Sequence, residues 1–96
     1  MTFSFHPEAD TEFFEAVEYY DACEPGLGYD FSLEVFSTVH TIVNSPAAWP
    51  VLEEDVRRCL VNRFPYGVLY SIEGLEIFIL AVMHLRRNPD YWKKRL

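Results

Sequence analysis

The side chains best suited to chemistry in this chain are cations and a few aromatic groups in its last forty residues. Arginine is a planar, permanently charged donor that suits phosphate or carboxylate groups. Histidine and tyrosine beside it can act as acid and base on a phosphodiester, or stack on a nucleobase. Such a set would describe a metal-independent endoribonuclease, in which the protein supplies proton transfer and positive charge. The candidates for this catalytic role are Arg58, His84, Arg86 and Tyr91.

A second set of side chains suits the binding of a target or partner protein. Most of its members belong to the basic C-terminal segment PDYWKKRL, which begins at Pro89. Trp92 has two interpretations, because a tryptophan can be a contact residue or a packing residue. The set consists of Arg57, Arg63, Arg87, Trp92, Lys93, Lys94 and Arg95.

The catalytic interpretation has a plain alternative. Arg57 and Arg58 are neighbours on a predicted strand, so they point to opposite faces and cannot both line one site. Arg86 and Arg87 would then be only the solvated end of a strand. No CxxC or HxxxH spacing occurs, and the three histidines are far apart in sequence, so neither a metal site nor a cofactor is predicted.

Charge is distributed very unevenly along the chain. The formal net charge is −7, yet all eight Lys and Arg residues follow residue 55, while twelve of the fifteen Asp and Glu residues precede residue 56. This asymmetry allows two surfaces of opposite sign, with the cations converging on one positive edge that faces an anion or an acidic partner. The alternative is that the two halves neutralise each other in the fold.

The elements that would position these residues follow from hydrophobic periodicity. A short alternating strand, residues 2–6, precedes a helix that starts at Pro7 and carries acidic residues in its first turn. EPGLG ends this helix, and YDFSLEVFSTVHTIVNS has the spacing of a second one. Two helices joined by a short glycine-bearing turn predict an antiparallel hairpin.

After a connecting loop over residues 46–55, the period changes to two. RRCLVNRF, GVLYSIEG and LEIFILAVMHL are strand-like, and Glu73-Gly74 is a hairpin signal between the last two. Pro89 is expected to open a short final helix. The prediction is one α+β domain spanning residues 1–96, with an N-terminal short strand, an antiparallel helical hairpin packed on an antiparallel sheet and a C-terminal helical tail.

Location is predicted from what the chain lacks. The longest apolar run, Ile77 to Met83, is far shorter than the roughly 18 residues of a membrane span. The segment MTFSFHPEADTEF has neither the basic nor the long apolar region of a signal peptide. A cytoplasmic protein without membrane contacts is therefore expected.

Four segments together resemble a known family. They are FHPEADTEFFEAVEYYD, GLGYDFSLEV, WPVLEEDVRRCLVNRFPYGVLYSI and LEIFILAVMHLRRNPDYWKKRL, which cover nearly the whole chain. They resemble the RelE/ParE superfamily of toxins from type II toxin–antitoxin systems, the plasmid stabilisation type. The resemblance implies a compact fold of two helices against a sheet, which agrees with the element order above.

The resemblance implies two different mechanisms. RelE-type members cleave messenger RNA in the ribosome, with basic residues on the sheet and a tyrosine in the tail. ParE-type members share the fold, lack that basic set and inhibit DNA gyrase. Leu60 and Gly67 stand where RelE-type enzymes carry Lys and Arg, so the chain is more similar to ParE than to RelE.

Some positions still match the RelE-type set. Arg58 matches one basic position of the sheet, Arg86 or Arg87 the arginine of the tail, and Tyr91 or Trp92 its tyrosine. His84 stands near the histidine of related ribonucleases.

The expected function is therefore that of a growth-arresting toxin that inhibits DNA gyrase and is neutralised by a cognate antitoxin, in a toxin–antitoxin hetero-oligomer. Net charge supports this choice, because −7 opposes approach to ribosomal RNA phosphates. The first alternative is a ribosome-dependent mRNA endonuclease. The second alternative is a non-catalytic interaction module or an inactive toxin. The basic tail from Pro89 is expected to face an acidic antitoxin or the target.

Overall fold

The computed structural model describes all 96 residues, as a helical hairpin packed on a five-stranded sheet. No helix is both long and apolar enough to cross a bilayer. In chain order the elements are β1 (Thr2–Phe5), α1 (Pro7–Cys23), α2 (Leu27–Asn44), β2 (Val51–Glu53), β3 (Val56–Leu60), β4 (Tyr66–Glu73), β5 (Glu76–His84) and a 3-10 helix (Lys93–Arg95). The predicted hairpin on a sheet is confirmed.

Local side-chain bonds fix both ends of α1. His6 precedes the helix and its Nδ1 accepts a hydrogen bond from the backbone N–H of Glu8 at 3.0 Å. At the other end, the carboxylate of Asp21 accepts from the N–H groups of Gly26 and Gly28, each at 3.1 Å. Gly26 has a φ of 89°, which favours glycine, so the turn between the helices is specified by the sequence.

The sheet has the order β1-β5-β4-β3-β2 and is mixed rather than wholly antiparallel. β1 pairs in parallel with β5, with Phe3 opposite Ile77, whereas the other neighbours are antiparallel. The helical hairpin between β1 and the rest of the sheet is the kind of long connection that a parallel pair requires. β2 lies in the segment predicted as a loop, because an edge strand of three residues leaves almost no periodic signal.

Both faces of β4 and β5 are buried. One face packs against the hairpin through a cluster that includes Phe13, Phe31 and Tyr70. The other face, which we call the tail face, is covered by the C-terminal segment, and Leu69 and Trp92 belong to its cluster. β5 is thus the interior strand that its continuous apolar run predicts.

An irregularity in β5 decides which way its last residues point. Leu69 pairs with Ala81 and Tyr70 with Ile79, which leaves Leu80 as an extra residue between them. Leu80 and Ala81 both belong to the tail-face cluster, and Val82 then belongs to the hairpin-face cluster. The bulge therefore reverses the alternation of side chains at the end of β5.

The C-terminal segment is not the predicted helix from Pro89. It consists of turns that end in the 3-10 helix Lys93–Arg95. Trp92 is only 2% exposed and anchors the segment on the sheet. A helix of only eight residues is unstable by itself, so helical propensity has little influence on the segment after Pro89. The burial of the Trp92 ring therefore determines the path of its backbone.

Candidate functional site

Glu12 of α1 is the centre of the polar contacts that join the two halves of the chain. Its carboxylate accepts hydrogen bonds from the Tyr91 hydroxyl at 2.5 Å and from Arg95 Nη1 and Nη2 at 2.9 and 3.0 Å. It also accepts the backbone N–H of Val82 at 3.1 Å, and Arg87 Nη1 lies 3.4 Å away. The side chains of Glu12 and Arg95 are 11% and 5% exposed, so this is a nearly buried ion pair.

The pair also covers an open sheet edge. β1 pairs with β5 only as far as Ile79, which leaves the following backbone groups without a strand beside them. Glu12 takes the N–H of Val82, and Arg95 Nη1 donates to the carbonyl of Leu80 at 3.0 Å. Two side chains thus replace the missing strand, which keeps polar backbone groups from being buried without partners.

Burial and charge act on the proton equilibria of this cluster. Burial raises the pKa of the Tyr91 phenol, and its hydrogen bond to Glu12 raises it further, so this hydroxyl holds its proton. Burial by itself would lower the pKa of Arg95, but the hydrogen bonds and charge of Glu12 more than offset this and the pKa is raised. Arg95 Nε is buried without a hydrogen bond, 3.4 Å from Glu8 Oε2.

The remaining cations of the predicted partner-binding set are also mostly held within the molecule. Lys93 Nζ lies 2.7 Å from Glu53 and 3.0 Å from Asp90. Arg63 lies 3.7 Å from Asp30, and Arg57 donates to the carbonyls of Ala47 and Trp49.

The prediction of a single positive edge is therefore wrong. Acidic residues of the first half of the chain sit against basic residues of the second half. The alternative, mutual neutralisation of the two halves, describes the structure. Trp92, predicted to contact a partner, is instead a buried packing residue; the roles of the other residues in that set stay predictions.

The four predicted catalytic residues are not assembled on one surface. Arg58 is paired across the sheet with Leu69, whose side chain belongs to the tail-face cluster. His84 is paired with Tyr66, which packs on Phe31 of the hairpin, so His84 faces the other side. Residues directly opposite each other in an antiparallel pair share a face, so the sheet separates Arg58 from the imidazole.

The surroundings of Arg58 are apolar. A Cβ placed on Gly67 would lie 3.1 Å from the stem of Arg58 and 3.5 Å from Leu85, so this stem packs over the glycine. Leu52 and Leu60, exposed at 43% and 55%, line a cavity beside the same arginine.

Besides Arg57, which donates to two backbone carbonyls, three cations make no ion pair anywhere in the chain: Arg58, Arg86 and Lys94. The backbone N–H of Arg86 donates to Nδ1 of His84 at 3.1 Å, while its guanidinium has no carboxylate partner. These three are the positive groups available to another molecule. The molecule has no group of three or more His, Cys, Asp and Glu side chains arranged to hold a metal ion.

Sequence reasoning did not single out Glu12 among the acidic residues of α1. A signal was present, because Glu12 lies next to Phe13 and three residues from Ala9, both of which are buried. Glu12 lies at the border of the buried face of α1, and residues 1–55 contain no Lys or Arg. A cationic partner for its carboxylate must therefore come from the second half of the chain.

Three comparisons with known proteins agree. Residues 3–89 match the profile of a family described as the ParE toxin of the type II toxin–antitoxin system parDE. Two strains of Mycobacterium tuberculosis have a protein named Toxin ParE2 that is 31% identical over 86 residues, covering 88% of this chain and 82% of the relative. A structure titled chromosomal ParDE TA system from P. aeruginosa superposes with a TM-score of 0.76 at 19% identity, covering 90% of this chain and 97% of the other, which supports the fold.

Proposed function

The chain belongs to the ParE toxin family of type II toxin–antitoxin systems, and from this premise we propose that it arrests growth by binding and inhibiting DNA gyrase rather than by cleaving RNA. We further propose that a cognate antitoxin neutralises it in a hetero-oligomer, and that it acts in the cytoplasm. A ribosome-dependent endonuclease and an inactive interaction module are the outcomes against which the proposal is tested.

One observation supports this choice above the others: the buried carboxylate of Glu12 occupies the position where phosphate chemistry would need positive charge. It holds Arg87, Arg95 and the hydroxyl of Tyr91. A phosphodiester brought to these groups would meet that negative charge directly. The raised pKa of Tyr91 also makes its phenol unsuited to take a proton from a 2′-hydroxyl.

The separated positions of the remaining candidates support the same conclusion. General acid–base catalysis needs two groups within hydrogen-bond reach of one substrate, and Arg58 and His84 lie on opposite faces of the sheet. Arg58 is flanked by Leu52 and Leu60, a mixture of one cation and apolar side chains that suits a protein surface. We therefore assign Arg58, together with Arg86, to contacts with the target protein.

The test uses the purified chain and two assays run side by side. The first measures supercoiling of relaxed plasmid by DNA gyrase and ATP-dependent double-strand breaks. The second measures cleavage of messenger RNA on programmed ribosomes. We expect inhibition or breaks in the first assay and intact message in the second.

Variants make the assay specific. Arg58→Ala should weaken gyrase inhibition, whereas His84→Ala should leave it unchanged, because the imidazole lies on the other face. Message cleavage that is lost in both variants would establish the nuclease alternative. Neither activity, together with harmless expression in the absence of an antitoxin, would establish the inactive module.

A further inference from the structure

A cavity of about 310 Å³ lies between α1 and the adjoining ends of β4 and β5. Its polar and aromatic lining consists of Glu12, Glu15, Tyr19, Tyr66, His84 and Arg87. We propose that this cavity, the α1–β5 pocket, binds a cationic side chain, Lys or Arg, of a partner protein. The identification of that partner as the antitoxin rests on the proposed function. The binding of a cation in the pocket is argued independently of that function.

Aromatic rings are held in place around the pocket. Tyr19 is 64% exposed, and its ring packs edge-on against that of Tyr20, with centroids 5.3 Å apart. Tyr20 in turn contacts Tyr66, which packs edge-on against His84 at 5.1 Å. Rings fixed by their neighbours lose little freedom when a ligand arrives, and their faces attract an ammonium or guanidinium group.

The charges around the pocket leave an excess of negative charge. Two carboxylates, those of Glu12 and Glu15, line the pocket together with the single guanidinium of Arg87, while Arg95 pairs with Glu8 and Glu12 beside it. Glu8 and Glu12 contact these arginines, whereas the carboxylate of Glu15 makes no ion pair. A cation entering the pocket would find Glu15 without a competing partner.

The rim of the pocket already binds one guanidinium in this way. Arg87 lies 3.9 Å above the centre of the Tyr91 ring and 3.4 Å from Glu12, so a ring and a carboxylate hold it together. Glu15 and Tyr19 also line the pocket, so it contains a second carboxylate and ring, and this carboxylate has no cation. Burial raises the pKa of Tyr66 most, and the nearby tyrosines and Glu12 raise it further, so its hydroxyl stays neutral.

Size and long-range charge also favour a single cationic side chain. The volume lies at the lower end of the roughly 300–1,000 Å³ of small-molecule pockets, so a side chain suits it better than a nucleotide. Residues 1–55 contain no Lys or Arg, so the helical hairpin attracts cations from a distance. A partner that approaches this side should therefore be basic, not acidic as the predicted positive edge implied.

The experiment titrates the ¹⁵N-labelled protein with N-acetyl-L-arginine amide and, separately, with N-acetyl-L-glutamate amide. We expect the arginine compound to shift the amide signals of Tyr19, Tyr66 and His84 with a dissociation constant on the order of 10 mM, because one cation–π contact and one exposed ion pair are each weak. The glutamate compound should produce no saturable shift. Glu15→Gln should weaken arginine binding by about fivefold, while Glu18→Gln, an exposed control on the same helix, should change it by less than about twofold.

Equal shifts from both compounds, or equal weakening by both variants, would overturn the proposal. The antitoxin is tested separately: Glu15→Gln should weaken its binding more than Glu18→Gln does, and equal affinities would overturn the assignment of the pocket to the antitoxin. The absence of gyrase inhibition would reject the proposed function alone, because the arginine titration requires neither gyrase nor antitoxin.

Discussion

Two groups of cations in this protein have the same residue types but opposite surroundings. Arg87, Lys93 and Arg95 contact carboxylates of α1, β2 or the tail itself. Arg58 and Arg86 contact none. The first group contributes to the folded structure, and the second remains available for another molecule.

The difference shows why a count of charges along a sequence does not define a surface. The C-terminal segment has the highest density of cations, yet Arg95 is 5% exposed and covers a sheet edge with Glu12. Arg58, in the middle of the chain, is less conspicuous in the sequence but has no carboxylate partner. Position in the fold, not density in the sequence, separates structural from interacting cations.

The largest effect is expected from removing the carboxylate that holds the first group. Glu12→Ala should lower the free energy of unfolding by about 3–5 kcal/mol, because Arg95 and the N–H of Val82 would stay buried without their partner. Urea denaturation measures this loss. Glu18→Ala, an exposed change on the same helix, should alter the free energy of unfolding by less than about 0.5 kcal/mol. A similar loss in both variants would show that the contacts of Glu12 do not stabilise the fold.

Removal of the tail's anchor should have a slightly smaller effect. Trp92→Ala should lower the free energy of unfolding by about 3 kcal/mol, because it leaves a cavity between the tail and Leu69. A matched substitution, Leu96→Ala, affects a residue that is 62% exposed and should be nearly neutral. A stable Trp92→Ala protein that fails only in partner binding would restore the contact role predicted for this ring.

A pH dependence should reveal the contribution of the Tyr91 hydroxyl to stability. Its folded-state pKa is raised above the ordinary value of 10.0, so the stabilisation is fully present below pH 10 and is lost as the pH rises beyond it. Tyr91→Phe removes this contribution. The stability of the wild-type protein relative to the variant should therefore fall by about 1 kcal/mol between pH 10 and pH 11. Parallel stability curves would show that Tyr91 titrates as it does in the unfolded chain.

The smallest effect on stability is expected in the second group of cations. Arg58→Ala and Arg86→Ala should each change the free energy of unfolding by less than about 0.5 kcal/mol, while growth arrest after induction weakens. Colony counts on inducing plates measure the arrest. Arg63→Ala, an exposed cation that is paired with Asp30, is the control and should remain toxic. Full toxicity of both test variants would remove this group from the target surface.

The fold was predictable to the extent that periodicity specifies it. The helical spacing over Pro7–Cys23 and Leu27–Asn44 and the alternation after residue 55 gave the element order, because each pattern reflects a buried face. The parallel pairing of β1 with β5 was missed, because hydrophobic periodicity does not depend on the direction in which a strand pairs. The strand β2 was missed because three residues are too few to show a periodic pattern.

The candidate site was harder to predict than the fold. His84 and Arg58 lie on opposite faces partly because of the bulge at Leu80, which no residue type in the sequence indicates. The pairing of Glu12 with Arg95 joins residues 83 positions apart and depends on where β1 stops. Such contacts follow from tertiary geometry, so local patterns could name the cations but not their partners.

A double-mutant cycle tests most directly whether the tail cations are structural. Glu12→Gln, Arg95→Met and the double variant are compared by urea denaturation with Asp30→Asn, Arg63→Met and their double variant. We expect a coupling free energy of about 2–3 kcal/mol for the buried pair and less than about 1 kcal/mol for the exposed pair. Equal, small couplings for both pairs would contradict the account, because Arg95 would then be as free to meet another molecule as a surface cation is.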